Sequence, residues 1–189
     1  MILIIDNCSI SDFFKYYSFD KDHQKKVFSK LLTFLKDKIL CDEIIIIDKV
    51  YAEMLRMPKT TEIKEFQREI KHKIIDTDYL VVEVDELTMK YFIEENKKYY
   101  KYDDDRIRSA LDGYLDRHAD LYLIAYSNKL KEEGKKPIII SEESMKSDNK
   151  LIEKIPTICK ITNENIDYKN IPNILFEIYK DELKFKLNE

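Results

Sequence analysis

Carboxylates stand at the ends of short apolar runs in four separated parts of this chain. Asp6 closes Ile2-Leu3-Ile4-Ile5, and Asp48 and Glu53 follow Ile44-Ile45-Ile46-Ile47. Asp120 opens the segment ADLYLIAYS, and Glu142 and Glu143 come one residue after Ile138-Ile139-Ile140. Short β-branched runs bounded by polar residues read as buried parallel strands. In an open α/β sheet, ligands bind outside the carboxyl ends of the strands. Acids from distant parts of the chain are therefore expected to converge on one edge of one sheet. Carboxylates brought that close repel and raise each other's pKa unless a cation sits among them. The chemistry this pattern implies is divalent-metal binding. Carboxylate oxygens suit hard cations, Mg²⁺ or Mn²⁺. Such an ion lowers the pKa of a bound water and neutralises charge developing on phosphate oxygens.

Each acid also has a plainer role open to it. Asp6 can cap the helix after the first strand, and Glu53 can be a surface residue of its helix. Asp120 can complement a helix dipole as a first-turn acid, and Glu142 or Glu143 can be a solvated loop acid. The histidines His23, His72 and His118 lie on polar faces and form no ligand motif, so zinc is not expected. No Ser/His/Asp triad is visible. Only two glycines, Gly113 and Gly134, occur, which excludes glycine-rich phosphate cradles.

The elements that must position these acids are legible from patterning. Strands are expected at 2–5, 44–47, 80–84, 137–141 and 157–162. Helices are expected at 9–17, at Asp22 to Lys38, after residue 47, near 61–73 behind a Thr60 or Thr61 cap, and from about 86 to 99 behind an Asp85 cap. Further helices are expected near 107–116, at 118–132 with Gly134 as the C′ residue, and at 171–186. Residues 100–106 read as a loop, and 146–155 as a polar loop or short helix. Alternating strands and helices imply a three-layer α/β/α sandwich with a central, mostly parallel sheet. The 189 residues fit one domain over 1–189, with a helical insertion or extension around 60–117.

Composition sets further bounds. The chain is 44% hydrophobic and 37% charged, and no apolar run reaches the length of a membrane span. The N-terminus, MILIIDNC, has no basic region and no cleavage site, so a cytoplasmic location is expected. Cys8, Cys41 and Cys159 are unpaired in pattern and read as small buried thiols. A net charge of -4 gives no global pull toward nucleic acid. Basic residues nevertheless cluster: Lys25, Lys26 and Lys30; Lys64, Arg68, Lys71 and Lys73; Arg106, Arg108 and Arg117; Lys129, Lys131, Lys135 and Lys136. These read as solvated faces or as a phosphate-binding track. Asp103, Asp104 and Asp105 read as a solvated loop. Among thirteen tyrosines, Tyr16, Tyr17, Tyr99, Tyr100 and Tyr102 either pack half-buried or stack bases of a single strand.

Taken in order, the motifs resemble those of PIN-domain ribonucleases, the fold of the VapC-like toxins and of many RNA-processing nucleases. The residues that carry the likeness are Asp6 in ILIIDNCSI, Glu53 in IIIIDKVYAEML, Asp120 in HADLYLIAYS, and Ser141, Glu142 and Glu143 in IIISEES. The segment KIPTICKI, with Lys154, Ile155, Pro156 and Cys159, resembles an uncharacterised PIN-like branch. Two departures stand out. Asn7 and Cys8 replace the usual Thr or Ser followed by Asn or Ser, and the last acid is Glu rather than Asp, with Glu143 better placed than Glu142.

The resemblance implies a PIN-like fold and a metal-dependent endoribonuclease, either the toxin of a toxin–antitoxin pair or an RNA-processing enzyme. Asp6, Glu53, Asp120 and Glu143, with Glu142 as the alternative last acid, would hold Mg²⁺ or Mn²⁺. Asn7, Ser9 and Ser141 would orient ligands or waters. Cleavage would leave a 5′-phosphate and a 3′-hydroxyl. The implied partners are RNA, taken as single-stranded, an antitoxin or other protein, and a second copy of the chain; no membrane is implied. Phe13, Phe14, Tyr16 and Tyr17 either line a groove for a partner helix or pack in the core. The alternative reading is a catalytically weak RNA- or protein-binding module. A haloacid-dehalogenase-type phosphatase would need a second Asp at position 8, where Cys8 stands.

Overall fold

A computed structural model describes residues 1–17, 22–90, 105, 119–143, 155–161 and 166–183. A four-stranded, wholly parallel sheet runs through the middle, with helices on both sides, giving three α/β/α layers. In chain order the elements begin with β1 (Ile2–Ile5), α1 (Asn7–Tyr17), α2 (Asp22–Leu40), β2 (Ile44–Ile45), α3 (Asp48–Met54) and α4 (Thr61–Ile70). They continue with α5 (Val81–Thr88), α6 (Asp120–Glu132), β3 (Pro137–Ile140), α7 (Ile155–Ile161), β4 (Asp167–Lys169) and α8 (Ile171–Glu177). Single 3₁₀ turns occupy Lys71–Lys73 and Asp78–Leu80.

The apolar runs explain the sheet. Leu3, Ile4 and Ile5 are all buried, as are Pro137 to Ile140. Side chains alternate faces along a strand, so both faces of the sheet are covered, as parallel sheets require. β1 is central, with β2 on one side (Leu3 opposite Ile44) and β3 on the other (Leu3 opposite Ile138). The strand order β2-β1-β3-β4 means that the chain leaves β1 in one direction and returns on its other side. That reversal is a topological switch point, and it opens a crevice beyond the carboxyl ends of β1 and β3. No helix among the described residues is long and apolar enough to cross a membrane.

The structure corrects several expectations. Residues 80–84 are not a strand, and Asp85 does not cap a helix; it lies inside α5. Leu80, Val84 and Leu87 are buried while Val81 and Val82 are exposed, a helical period that the β-branched composition hid. Of the strand expected at 157–162, the described residues 157–161 are helical instead: Ile155 to Ile161 form α7, burying Ile155, Ile158 and Cys159 along one stripe. The fourth strand is Asp167–Lys169, a short polar edge strand with no apolar run to announce it. The helix after β1 begins earlier than expected, at Asn7, and the helix behind the Thr60 cap gives way to a 3₁₀ turn after Ile70. The last expected helix is interrupted: α8 ends at Glu177, Ile178 and Tyr179 form a turn, and residues 180–183 are helical again. Gly134 does follow α6 with φ +75°, the left-handed conformation of a C′ glycine. Cys41 is exposed rather than buried, whereas Cys159 is buried.

Phe13 and Phe14 face inward and form an aromatic cluster with Phe28 and Phe66, at centroid distances of 5.5–5.9 Å. Both are buried in the core, and Phe14, with Phe28 and Phe66, also lines an open groove of about 790 Å³. The side chains of Tyr16, Tyr17, Tyr99, Tyr100 and Tyr102, His23 and His118, residues 103–104, and the helix expected near 107–116 lie outside the described residues, as does most of the expected loop at 100–106 and of the segment 146–155.

The helical assignment of α5 has a direct test. Val84→Ala should cost about 1–3 kcal/mol, because a buried side chain is truncated. Val82→Ala, at 66% exposure, should change stability by less than about 0.5 kcal/mol. A strand would make both residues equivalent, since they would share a face. Urea unfolding of the two variants distinguishes the cases.

Candidate functional site

The crevice at the switch point is where the sheet places its acids. The β1–β3 ladder runs one residue past β1, because the Asp6 N–H donates to the Ile140 carbonyl (2.9 Å). The β3–β4 ladder likewise runs on to Ser141, whose N–H donates to the Lys169 carbonyl (3.0 Å). Asp6 and Ser141 thus sit side by side at the carboxyl edge. The Ser141 hydroxyl donates to Asp6 Oδ2 (3.3 Å) and accepts from the Glu143 N–H (3.2 Å). Ser141 therefore ties the first acid to the last.

Glu53 reaches the same crevice from α3. That helix is fastened to α4: the Gln67 side chain donates to the Met54 carbonyl (2.6 Å), and the Tyr51 hydroxyl donates to the Gln67 carbonyl (3.2 Å). Glu53 Oε1 in turn accepts the Ala119 N–H (2.8 Å), at the start of α6, whose first residue is Asp120. Glu143 is held through Oε2, which accepts the Ile155 N–H (3.1 Å) at the start of α7. The Ile-Pro segment noted in the sequence thus begins a helix whose first amide fixes a carboxylate.

Electrostatics bind these groups into one set. Asp6 is only 4% exposed. Burial first, then the charges of Asp120, Glu143 and Glu53, push its carboxyl up to about 8, with the Cys8 hydrogen bond opposing. Burial and the charge of Asp120 push Glu53 up to about 7, against the Ala119 N–H, the Arg56 charge and the Asn7 side chain, which hold it down. The structure therefore brings Asp6, Glu53, Asp120 and Glu143 together. Glu142 is turned away, its Oε1 accepting the Ile171 N–H (2.7 Å) at the start of α8.

Of the three supporting side chains expected from sequence, Asn7 acts on Glu53 and Ser141 on Asp6. The Ser9 hydroxyl is buried without a hydrogen-bond partner and touches none of the acids through one. Cys8 was not expected to take part. Its thiol donates to Asp6 Oδ2 (2.6 Å) and lies 3.5 Å from the Ser141 hydroxyl, and burial and the Asp6 charge push the thiol pKa up, so it stays protonated. The available signal was its place in the first helical turn, two residues after Asp6.

The donor set fits a hard divalent cation. Its charged members are all carboxylates, and burial together with the charge of Asp120 raises two of them, Asp6 and Glu53. The Asn7 Oδ1 atom beside them is buried with no partner, and an acceptor in that position suits a cation or its water. The four acids are not collapsed together, however. Among the described residues only Asp48, Asp76 and Asp78 have carboxylate oxygens all within 4.8 Å of one another. That second group carries its own neutralising partners. Lys49 pairs with Asp48 (3.1 Å) and with Asp78, the Thr77 N–H and hydroxyl donate to Asp48, and the Asp78 N–H donates to Asp76 (2.9 Å). The crevice set instead gathers a deeply buried carboxyl, Asp6, with Glu53, Asp120 and Glu143 at the switch point of the sheet, and is the better candidate.

Fold and site together define an α/β/α protein with an acidic cluster at the switch point of a parallel sheet. Residues 6–176 match the DUF4411 family, a domain of unknown function, and the chain belongs to that family. The match begins at Asp6 itself and spans all four acids. No curated protein and no solved structure matches the chain.

The raised carboxyls predict a pH dependence. Asp6 and Glu53 ionise at higher pH folded than unfolded, so the unfolded chain sheds its protons first. Stability therefore falls as pH rises from about 4 toward 8 and stays low above that. Asp6→Asn removes the larger penalty and keeps an oxygen to accept from Cys8. Relative to wild type it should be nearly neutral at pH 4.5 and stabilising by on the order of 2 kcal/mol at pH 8.5 in chelator, measured by thermal melting.

Proposed function

We propose that this protein is a metal-dependent endoribonuclease of the PIN type, acting in the cytoplasm as a toxin or an RNA-processing enzyme. The observation that carries this reading is the convergence of four carboxylates from four chain segments at one switch point, where burial and neighbouring acids raise Asp6 to about 8 and burial and the Asp120 charge raise Glu53 to about 7. The order of the motifs supports it, as does the segment beginning at Ile155, whose first amide holds Glu143.

In this reading Asp6, Glu53, Asp120 and Glu143 hold Mg²⁺ or Mn²⁺. When bound, such an ion supplies a water of lowered pKa and neutralises charge on the scissile phosphate. The protein's own part is positional. Ser141 and Cys8 fix Asp6, the Ala119 amide fixes Glu53, and the Ile155 amide fixes Glu143, so the acids need little rearrangement to act together. Asn7 steadies Glu53 and offers its unpartnered oxygen to a ligand water. Hydrolysis leaves a 5′-phosphate and a 3′-hydroxyl. Single-stranded RNA is the substrate, its flanking phosphates met by exposed lysines and arginines such as Lys64 and Arg68.

A second reading, a catalytically weak RNA- or protein-binding module, is favoured by one observation: no three acids of the crevice have oxygens within 4.8 Å of one another. Two experiments separate the readings. Labelled single-stranded RNA should be cut with Mg²⁺ or Mn²⁺, left intact in EDTA, and cut at least 10²-fold more slowly by Asp120→Asn, a loss in the range of removing one electrostatic group from an active site. Mn²⁺ should also raise the melting temperature of wild type at pH 8, and not that of Asp120→Asn. Identical traces for wild type and variant with every metal would leave the binding module standing.

A further inference from the structure

Beside the acidic crevice lies a cavity of about 620 Å³, within the range of about 300–1,000 Å³ that small-molecule sites occupy. Ser141 and Glu143 line it, so it opens directly off the acid cluster. Its far wall comes from the end of β4 and the start of α8, where Tyr168, Asn170 and Asn173 line it. Glu142 stands on the wall between the two sides.

The geometry of Glu142 is unusual for a helix-capping acid. Its Oε1 accepts the Ile171 N–H at 2.7 Å, which fixes the carboxylate in place. Its Oε2 has no hydrogen-bond partner among the described residues. One oxygen is thus an anchor and the other a fixed acceptor on a cavity wall. The cavity also adjoins the place where a scissile phosphate would lie. Asn173 adds an exposed amide that can donate or accept. A half-buried tyrosine, Tyr168, supplies an aromatic wall.

We infer that this cavity receives the base of the nucleotide next to the scissile phosphate, and that Glu142 selects bases presenting an exocyclic amino group, cytosine over uracil. The inference rests on the nuclease reading for the identity of the ligand. Its physical content is a fixed lone acceptor. A carboxylate oxygen accepts a hydrogen bond from the cytosine 4-amino group. Uracil offers its N3–H between two carbonyl oxygens, and those oxygens repel a carboxylate. Glu142 is accordingly a specificity residue rather than a metal ligand.

The substitution that tests this is Glu142→Gln. Glutamine keeps an oxygen for the Ile171 N–H and turns the other position from acceptor into donor, suited to the uracil 4-carbonyl. Binding of cytidine and uridine 5′-monophosphate, followed by NMR titration in Mn²⁺-free and Mg²⁺-containing buffer, gives the readout. Wild type should prefer the cytidine nucleotide by about five- to tenfold, and Glu142→Gln should abolish or reverse that preference with an unchanged melting temperature. Asn173→Ala, at an exposed position, should weaken both nucleotides without changing their ratio. Equal binding of the two by wild type, a preference untouched by Glu142→Gln, or no binding at millimolar nucleotide would each overturn the inference. If RNA is cut with no base preference, this subsite falls and the nuclease reading stands. If the cytidine preference appears and responds to Glu142→Gln while no RNA is cut, the subsite stands and the nuclease reading falls.

Discussion

A single backbone hydrogen bond, from the Asp6 N–H to the Ile140 carbonyl, carries the parallel ladder one residue past the end of β1 and puts a carboxylate where the sheet is still closed on both faces. The rest of the site follows from that constraint. A carboxyl so deeply placed cannot be left without donors, and the protein supplies two, from Cys8 and Ser141. The ladder also dictates that Ser141, the residue after Ile140, is the neighbour available to serve it. Had β3 paired one residue out of register, Ser141 and Ile140 would exchange faces and Asp6 would meet an apolar side chain.

Around that pair three further acids are each held by an amide at a helix start, and the Arg56 charge also acts on Glu53. Ala119 serves Glu53, Ile155 serves Glu143, and Ile171 serves Glu142. An amide fixes a carboxylate's direction without cancelling its charge, so the acids stay electrostatically exposed to one another. The contrast with Asp48, Asp76 and Asp78 is instructive. There Lys49 pairs with two of the three acids, and the group settles into a tight, partly compensated cluster. Burial of charge is costly unless it is paired, and the crevice keeps that cost as raised pKa values at Asp6 and Glu53.

The central strands and the convergence of the acids were legible because apolar runs such as Ile44 to Ile47 and Ile138 to Ile140 are strong signals, each followed by its acid. The choice between Glu142 and Glu143 was only partly legible. Spacing favoured Glu143, but the reason that Glu142 turns away is the Ile171 amide, 29 residues downstream and visible only in three dimensions. The failures have common causes. Leu80 to Val84 is rich in β-branched residues, and tertiary packing made it helical by burying every third or fourth residue. Asp167 to Lys169 is a strand by virtue of the edge it pairs with, not of its own composition. Cys8 looked like a departure from a motif, and it turned out to be a donor to the first acid of the cluster.

The anchoring of Glu143 by Ile155 bears on how the molecule is born. The amide that fixes the last carboxylate is synthesised about 150 positions after Asp6, by the numbering of the chain. The edge strand that closes the sheet beyond β3 comes later still, at Asp167–Lys169. Helices and the β1–β2 pair can form on the emerging chain, yet the acidic cluster has no complete scaffold until Ile155 and the edge strand have been made. A nascent chain that has not reached Ile155 lacks the amide that holds Glu143, so complete assembly of the cluster waits on that distant segment.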